Sequence, residues 1–180
     1  MKNTFLSEGI KDGLIMGLVF TLITVVIYII DVSMFGGMTF GLSIFAIYLI
    51  LIIVFNIRFR KSLGGFWSFK EAFMYNFSLL LCAGLISVVV NIVLFNIIDP
   101  EAPKLIAENT VESTINMVEK MGGDPSDIED QLDETYDNTI NQFSTVGQLK
   151  GFGFALIAYA IFGAIFAAIF KKNKPQEEYI

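Results

Sequence analysis

The chain of 180 residues contains no histidine and one cysteine, Cys82. Without imidazole the usual general base and the commonest zinc ligand are missing. A single thiol cannot close an intrachain disulfide, so cysteine usage assigns no redox compartment. Charge is scarce as well: 17% of residues are Asp, Glu, Lys or Arg, against roughly a quarter in a soluble domain. There is no Gly-rich phosphate loop, no Gly-x-Ser-x-Gly elbow, no paired-cysteine motif and no Ser–His or Asp–Asp pair suited to an intramembrane protease. These gaps point away from an enzyme, and neither a cofactor nor a metal centre is expected.

Four uncharged apolar stretches, residues 13–30, 32–57, 72–98 and 151–170, dominate what remains. At ~1.5 Å of rise per residue the shortest covers about 27 Å, close to the ~30 Å hydrocarbon core of a bilayer. A backbone in hydrocarbon must satisfy its own N–H and C=O groups, so each stretch is expected to be a helix. The expected fold is an all-α integral membrane protein, a helical bundle of four transmembrane helices. Residues 1–98 would hold the first three, with an interfacial re-entry segment at 62–73. Residues 99–150 would form an acidic extracytoplasmic helical hairpin, and residues 151–180 the fourth transmembrane helix and a basic cytoplasmic tail. No Asp, Glu, Lys, Arg or His lies deep within any of the four spans, which argues against a proton-coupled carrier.

Charge sets the expected orientation. Lys2, Lys11, Arg58, Arg60, Lys61, Lys70, Lys171, Lys172 and Lys174 fall on the side of both termini, and only Lys104, Lys120 and Lys150 fall opposite. The positive-inside rule then puts both termini in the cytoplasm. The start of the chain imitates a secretory signal, but Asp31-Val32-Ser33-Met34-Phe35 offers no small-x-small cleavage site. An uncleaved first span is expected, and neither end carries a lipidation motif. All of the 18 acidic residues except Glu8, Asp12, Glu71, Glu177 and Glu178 fall outside the cytoplasm. Such a surface repels nucleic acid. The expected partners are the lipid bilayer and either another membrane protein or a second copy of the chain.

Local signals refine the reading. Gly36-Gly37 splits the second stretch, so its helix should run from near Met38 to near Ile57. Arg58, Arg60 and Lys61 would anchor its end at the headgroups, and Trp67 would sit in the aromatic belt. Ser68 and Glu71 have the spacing of a capping box. Asp99-Pro100 should end the third helix. In the acidic segment, Gly122-Gly123 stops one helix, and Asp124-Pro125 starts the next with Asp124 as its N-cap. Asp124, Asp127, Glu129, Asp130, Asp133 and Glu134 could in principle offer oxygens to a hard cation, but their spacing is not that of an EF-hand loop. A solvated helix face is the expectation.

Two sets of residues are candidates for function. Gly9, Gly13 and Gly17 on the first helix, and Gly147, Gly151, Ala155, Tyr159, Gly163 and Ala167 on the fourth, recur every four residues. Ala160, Ala164 and Ala168 form an adjacent row. Small residues at this spacing allow close helix contact, either within the chain or with a partner. Asn76, Asn91 and Asn96 on the third helix, with Asn56 on the second, are the polar groups of note within the apolar stretches. They would either join helices by hydrogen bonds or line a path.

Two short stretches, Gly64-Gly65-Phe66-Trp67-Ser68-Phe69-Lys70-Glu71-Ala72-Phe73 and Phe95-Asn96-Ile97-Ile98-Asp99-Pro100, resemble motifs entering and leaving the third helix of a bacterial membrane family, domain of unknown function 4199. The resemblance extends from about Gly9 to Lys172. It implies four spans in the inner membrane with a variable acidic segment before the last, and it implies no activity. The function expected is that of a non-enzymatic subunit or assembly protein; the alternative is a small homo-oligomeric transporter or channel.

Overall fold

The computed structural model describes residues 2–173. Lys174 and the rest of the tail lie outside the described residues. The described residues fold into six α-helices: α1 (Lys2–Ile30), α2 (Met38–Ser62), α3 (Phe69–Ile92), α4 (Ala102–Lys120), α5 (Glu129–Phe143) and α6 (Thr145–Phe170). A π-helical turn, Val93–Ile98, continues α3. Four segments, Thr4–Ile30, Met38–Ser62, Phe69–Ile98 and Thr145–Phe170, are long and apolar enough to cross a membrane. Their outward faces carry large apolar side chains such as Leu22, Ile29 and Phe154, which suit lipid as solvent. This is a multi-pass membrane protein.

The ends of the helices follow local chemistry. Asp31 caps a short 3-10 turn, Val32–Gly36, by accepting the Ser33 N–H at 2.9 Å. After Ser62 the chain reverses through Gly64 (φ +78°) and Gly65 (φ +89°), a region of backbone space that favours glycine. The Ser68 N–H donates to Glu71 Oε2 at 2.7 Å and the Glu71 N–H to Ser68 Oγ at 3.4 Å, the reciprocal capping box read from the spacing. No separate re-entry helix forms over 62–73, because the two glycines and this cap connect α2 directly to α3. Gly122 (φ +82°) follows the end of α4. Asp124 caps a 3-10 turn, Pro125–Ile128, that leads into α5.

Three boundaries differ from the sequence reading. The α1 helix starts at Lys2 rather than Gly13, because Thr4–Asp12 has no helix breaker outside Gly9. The α2 helix continues past its basic residues to Ser62. The α6 helix starts at Thr145 rather than Gly151, because the Asn96 side chain accepts from its Thr145 N–H and the preceding Ser144 hydroxyl from its Gly147 N–H.

The helices divide between two compact units. The first comprises Met1–Val19, Tyr48–Ile86 and Gly153–Ile180. Its core holds Met16, Ile52, Phe59, Trp67, Tyr75 and Leu79. The α1 and α3 helices approach closely: a Cβ added to Gly9 would lie 2.5 Å from the Tyr75 carbonyl oxygen, and one on Gly13 2.5 Å from that of Leu79. The second unit comprises Phe20–Ile47 and Ser87–Phe152. Leu94, Phe95, Ala102 and Ile106 form its buried cluster, with Tyr28, Val32, Phe35 and Phe143 packed around it. Within this unit α4 contacts both α5 and the Val32–Gly36 turn.

Candidate functional site: a buried carboxylate and its partners

Asp12, on α1, is 1% exposed. One of its carboxylate oxygens accepts from the Arg58 guanidinium of α2. The other accepts from the Tyr75 hydroxyl of α3 at 2.5 Å. One carboxylate therefore joins three helices within the first unit. The Arg58 guanidinium lies over the Phe55 ring, 5.2 Å from its centroid, and Tyr75 stacks on Phe59 at 4.7 Å. One turn earlier on α1, Lys11 pairs with Glu8 at 2.5 Å. Asp12 adds a carboxylate to the first membrane-length helix, where the sequence reading has no Asp, Glu, Lys, Arg or His deep within the span. It falls inside the Thr4–Ile30 segment because α1 extends well before the uncharged stretch.

Next to Arg58 in sequence, Asn56 and Asn76 form a closed pair. Asn56 Nδ2 donates to Asn76 Oδ1 at 2.7 Å, and Asn76 Nδ2 donates to Asn56 Oδ1 at 2.9 Å. Each amide also donates to the carbonyl one turn back, Asn56 to Ile52 at 2.8 Å and Asn76 to Ala72 at 2.9 Å. Both side chains are thus filled by each other and by their own helices. Asn96, in the second unit, donates to the Phe143 carbonyl at 2.8 Å and accepts from the Thr145 N–H at 3.1 Å. It fastens the junction between α5 and α6. Asn91 is half-buried on α3 and joins neither arrangement.

Three of the basic and aromatic residues expected at the headgroups have partners within the protein. Arg58 is held by Asp12, and Arg60 reaches the Phe170 carbonyl at 3.4 Å. Lys61 is exposed. Trp67 is 2% exposed, and its indole N–H donates to the Phe170 carbonyl at 2.6 Å. Its backbone also pairs with Lys172 through two hydrogen bonds of 3.0 Å. A carbonyl at the end of α6 that no helical N–H fills gives the indole a partner inside the protein, so Trp67 is buried.

The small-residue rows serve contacts within the first unit at several positions. Gly9, Gly13 and Gly17 face Tyr75 and Ser78, Leu79 and Cys82, and Ile86 respectively. Gly163 faces Phe73 and Phe77, and Ala167 is buried. Ala155 is half-buried, while a Cβ added to Gly151 would meet nothing within 4 Å.

This arrangement balances charge and fixes helix positions. No group of three or more Cys, Asp or Glu side chains among the described residues is placed to hold a metal ion. Asp12 escaped the sequence reading because it precedes the uncharged stretch. Its signal was its neighbours: a carboxylate between Gly9 and Gly13 lies on the small-residue face of the helix.

No curated protein and no solved structure matches the chain. A family model described as "protein of unknown function (DUF4199)" matches residues 11–172, which include Asp12, Arg58, Tyr75, the asparagine pair and Trp67. The chain belongs to this family, DUF4199.

Proposed function

We propose that the protein is a non-enzymatic bacterial inner-membrane protein that works as a subunit or assembly partner of a larger membrane complex. Both termini lie in the cytoplasm in this reading, and the acidic α4–α5 segment lies on the opposite side. The observation that carries it is the mutual closure of the polar groups in the first unit. Asn56 and Asn76 fill one another, and Asp12 is filled by Arg58 and Tyr75. Polar groups arranged in this way fix a scaffold instead of facing a substrate. The open position at Gly151 on α6 leaves room for a closely packed partner helix. A mild-detergent pull-down of the tagged protein from its native membrane, with cross-linking and quantitative mass spectrometry, tests the reading. Recovery of a stoichiometric partner supports it; recovery of self-linked copies alone overturns it.

One observation favours the second reading, a small homo-oligomeric transporter or channel. A carboxylate within a membrane helix often marks an ion path, and Asp12 is one. Flux through reconstituted vesicles that disappears in Asp12→Asn while assembly persists would favour transport over the scaffold. Asn91→Leu asks the same question of the third helix.

A further inference from the structure

Four of the chain's 7 methionines converge in the second unit as two pairs with the same spacing. Met34 and Met38 flank the junction between the Val32–Gly36 turn and α2. Met117 and Met121 lie one turn apart at the end of α4, where the Met121 N–H bonds to the Met117 carbonyl at 3.1 Å. The turn packs against α4, and a Cβ on Gly36 would meet the Ile106 carbonyl oxygen at 2.5 Å. A cavity of about 530 Å³ lies beside this contact, lined by Met38, Met117 and Met121 with Thr39, Ser113 and Asn116. Met34 lines a neighbouring cavity that shares Gly37 and Thr39 with the first.

The core does not use these side chains. Met38 is 62% exposed, Met117 38% and Met121 73%. A thioether on three rotatable bonds can turn into a cavity without moving the backbone. Sulfur of this kind is a soft ligand that selects monovalent copper, whereas hard dications need oxygen anions. No carboxylate lines the larger cavity. We infer that the Met38, Met117 and Met121 cavity is a binding site for a soft monovalent cation, Cu(I), with Met34 as a fourth donor at its edge. Binding exchanges water for thioether sulfur, with no change of oxidation state and no proton released. The affinity is therefore constant between about pH 5 and 8, which separates the site from one built on thiolate or imidazole.

The test uses the full-length protein in detergent under reducing conditions, carrying Cys82→Ser so that the lone thiol does not compete. Cu(I) is titrated against a chromophoric Cu(I) chelator, with Ag(I) as a second probe. Expected are one ion bound per chain, no pH dependence, and loss of binding in the triple variant Met38→Leu/Met117→Leu/Met121→Leu. Met16→Leu, a volume-conserving change in the other unit, should retain it. Lys120→Gln should tighten binding by removing a positive charge from the cavity wall. X-ray absorption of the copper-loaded protein, which needs no variant, should show sulfur neighbours. Equal binding by the parent and the triple variant overturns the inference, as does a first shell of oxygen and nitrogen alone.

Discussion

Asp12 ties α1 to α2 and α3 within the first unit through Arg58 and Tyr75. Its carboxylate is buried, yet the arginine that balances it keeps a half-exposed side chain. Removing the charge by Asp12→Asn should destabilise the fold by about 2 kcal/mol, the range for hydrogen bonds to charged groups, as read by thermal unfolding in detergent. Tyr75→Phe should cost less, because Arg58 still balances the carboxylate. The Asn56–Asn76 pair offers a cleaner measurement. A double-mutant cycle with Leu at both positions should give a coupling of about 1 kcal/mol, typical of interhelical hydrogen bonds in membranes. Near-zero coupling would mean that the amides find other partners. None of these pairings was legible in the sequence. Asn56 and Asn76 were visible as polar groups in apolar stretches, but their meeting depends on how α2 and α3 come together. Asp12 lies 46 residues from Arg58 and 63 from Tyr75, and no local pattern reports such distances.

At the scale of the helix, short-range chemistry was readable and long-range packing was not. The capping box at Ser68 and Glu71, the restart at Asp124-Pro125 and the stop at Gly122 all appear where the spacing put them. Each depends on residues within three or four positions. The burial of Trp67 was not legible for the opposite reason: its partner, the Phe170 carbonyl, comes from the far end of the chain. The glycine row gives a direct test of the α1–α3 contact. Gly13→Val should force the helices apart and cost roughly 1–3 kcal/mol by overpacking, whereas Gly151→Val should leave the melting temperature unchanged. Equal effects would mean that the close approach at Gly13 is absent. In the acidic segment, the Ser126 backbone N–H holds the exposed Asp124 carboxyl below its usual range. A group with a depressed pKa stabilises above its unfolded value and loses that contribution as pH falls through its folded one. The start of α5 should therefore loosen only in acid, and Asp124→Ala should abolish that pH dependence. Amide exchange at residues 126–130 reads both.

For the whole molecule, the sequence and the structure agree on what apolar length dictates. Four uncharged stretches became four helices able to cross a membrane, since a chain in hydrocarbon has no other way to satisfy its backbone. The division into two units was not legible, because each unit takes parts of all four long helices. Orientation is open to a direct measurement in a Cys82→Ser background. A cysteine at Ser126 should react with a membrane-impermeant maleimide in intact cells, and one at Lys61 should react only after the membrane is opened. The reverse pattern would overturn the proposed topology.

The π-helical turn at Val93–Ile98 closes with the Asp99 N–H bonded to the Leu94 carbonyl at 2.8 Å, five residues back. Such a turn behaves as one residue inserted into an otherwise regular helix. Beyond it, every side chain is rotated by about 100° from the phase that a regular helix would give it. Asp99, whose carboxylate accepts from the Ala102 N–H at the start of α4, takes its phase from that offset. Deleting Val93 should therefore convert the π turn into a regular helical turn and leave Asp99 in its present phase at the start of α4.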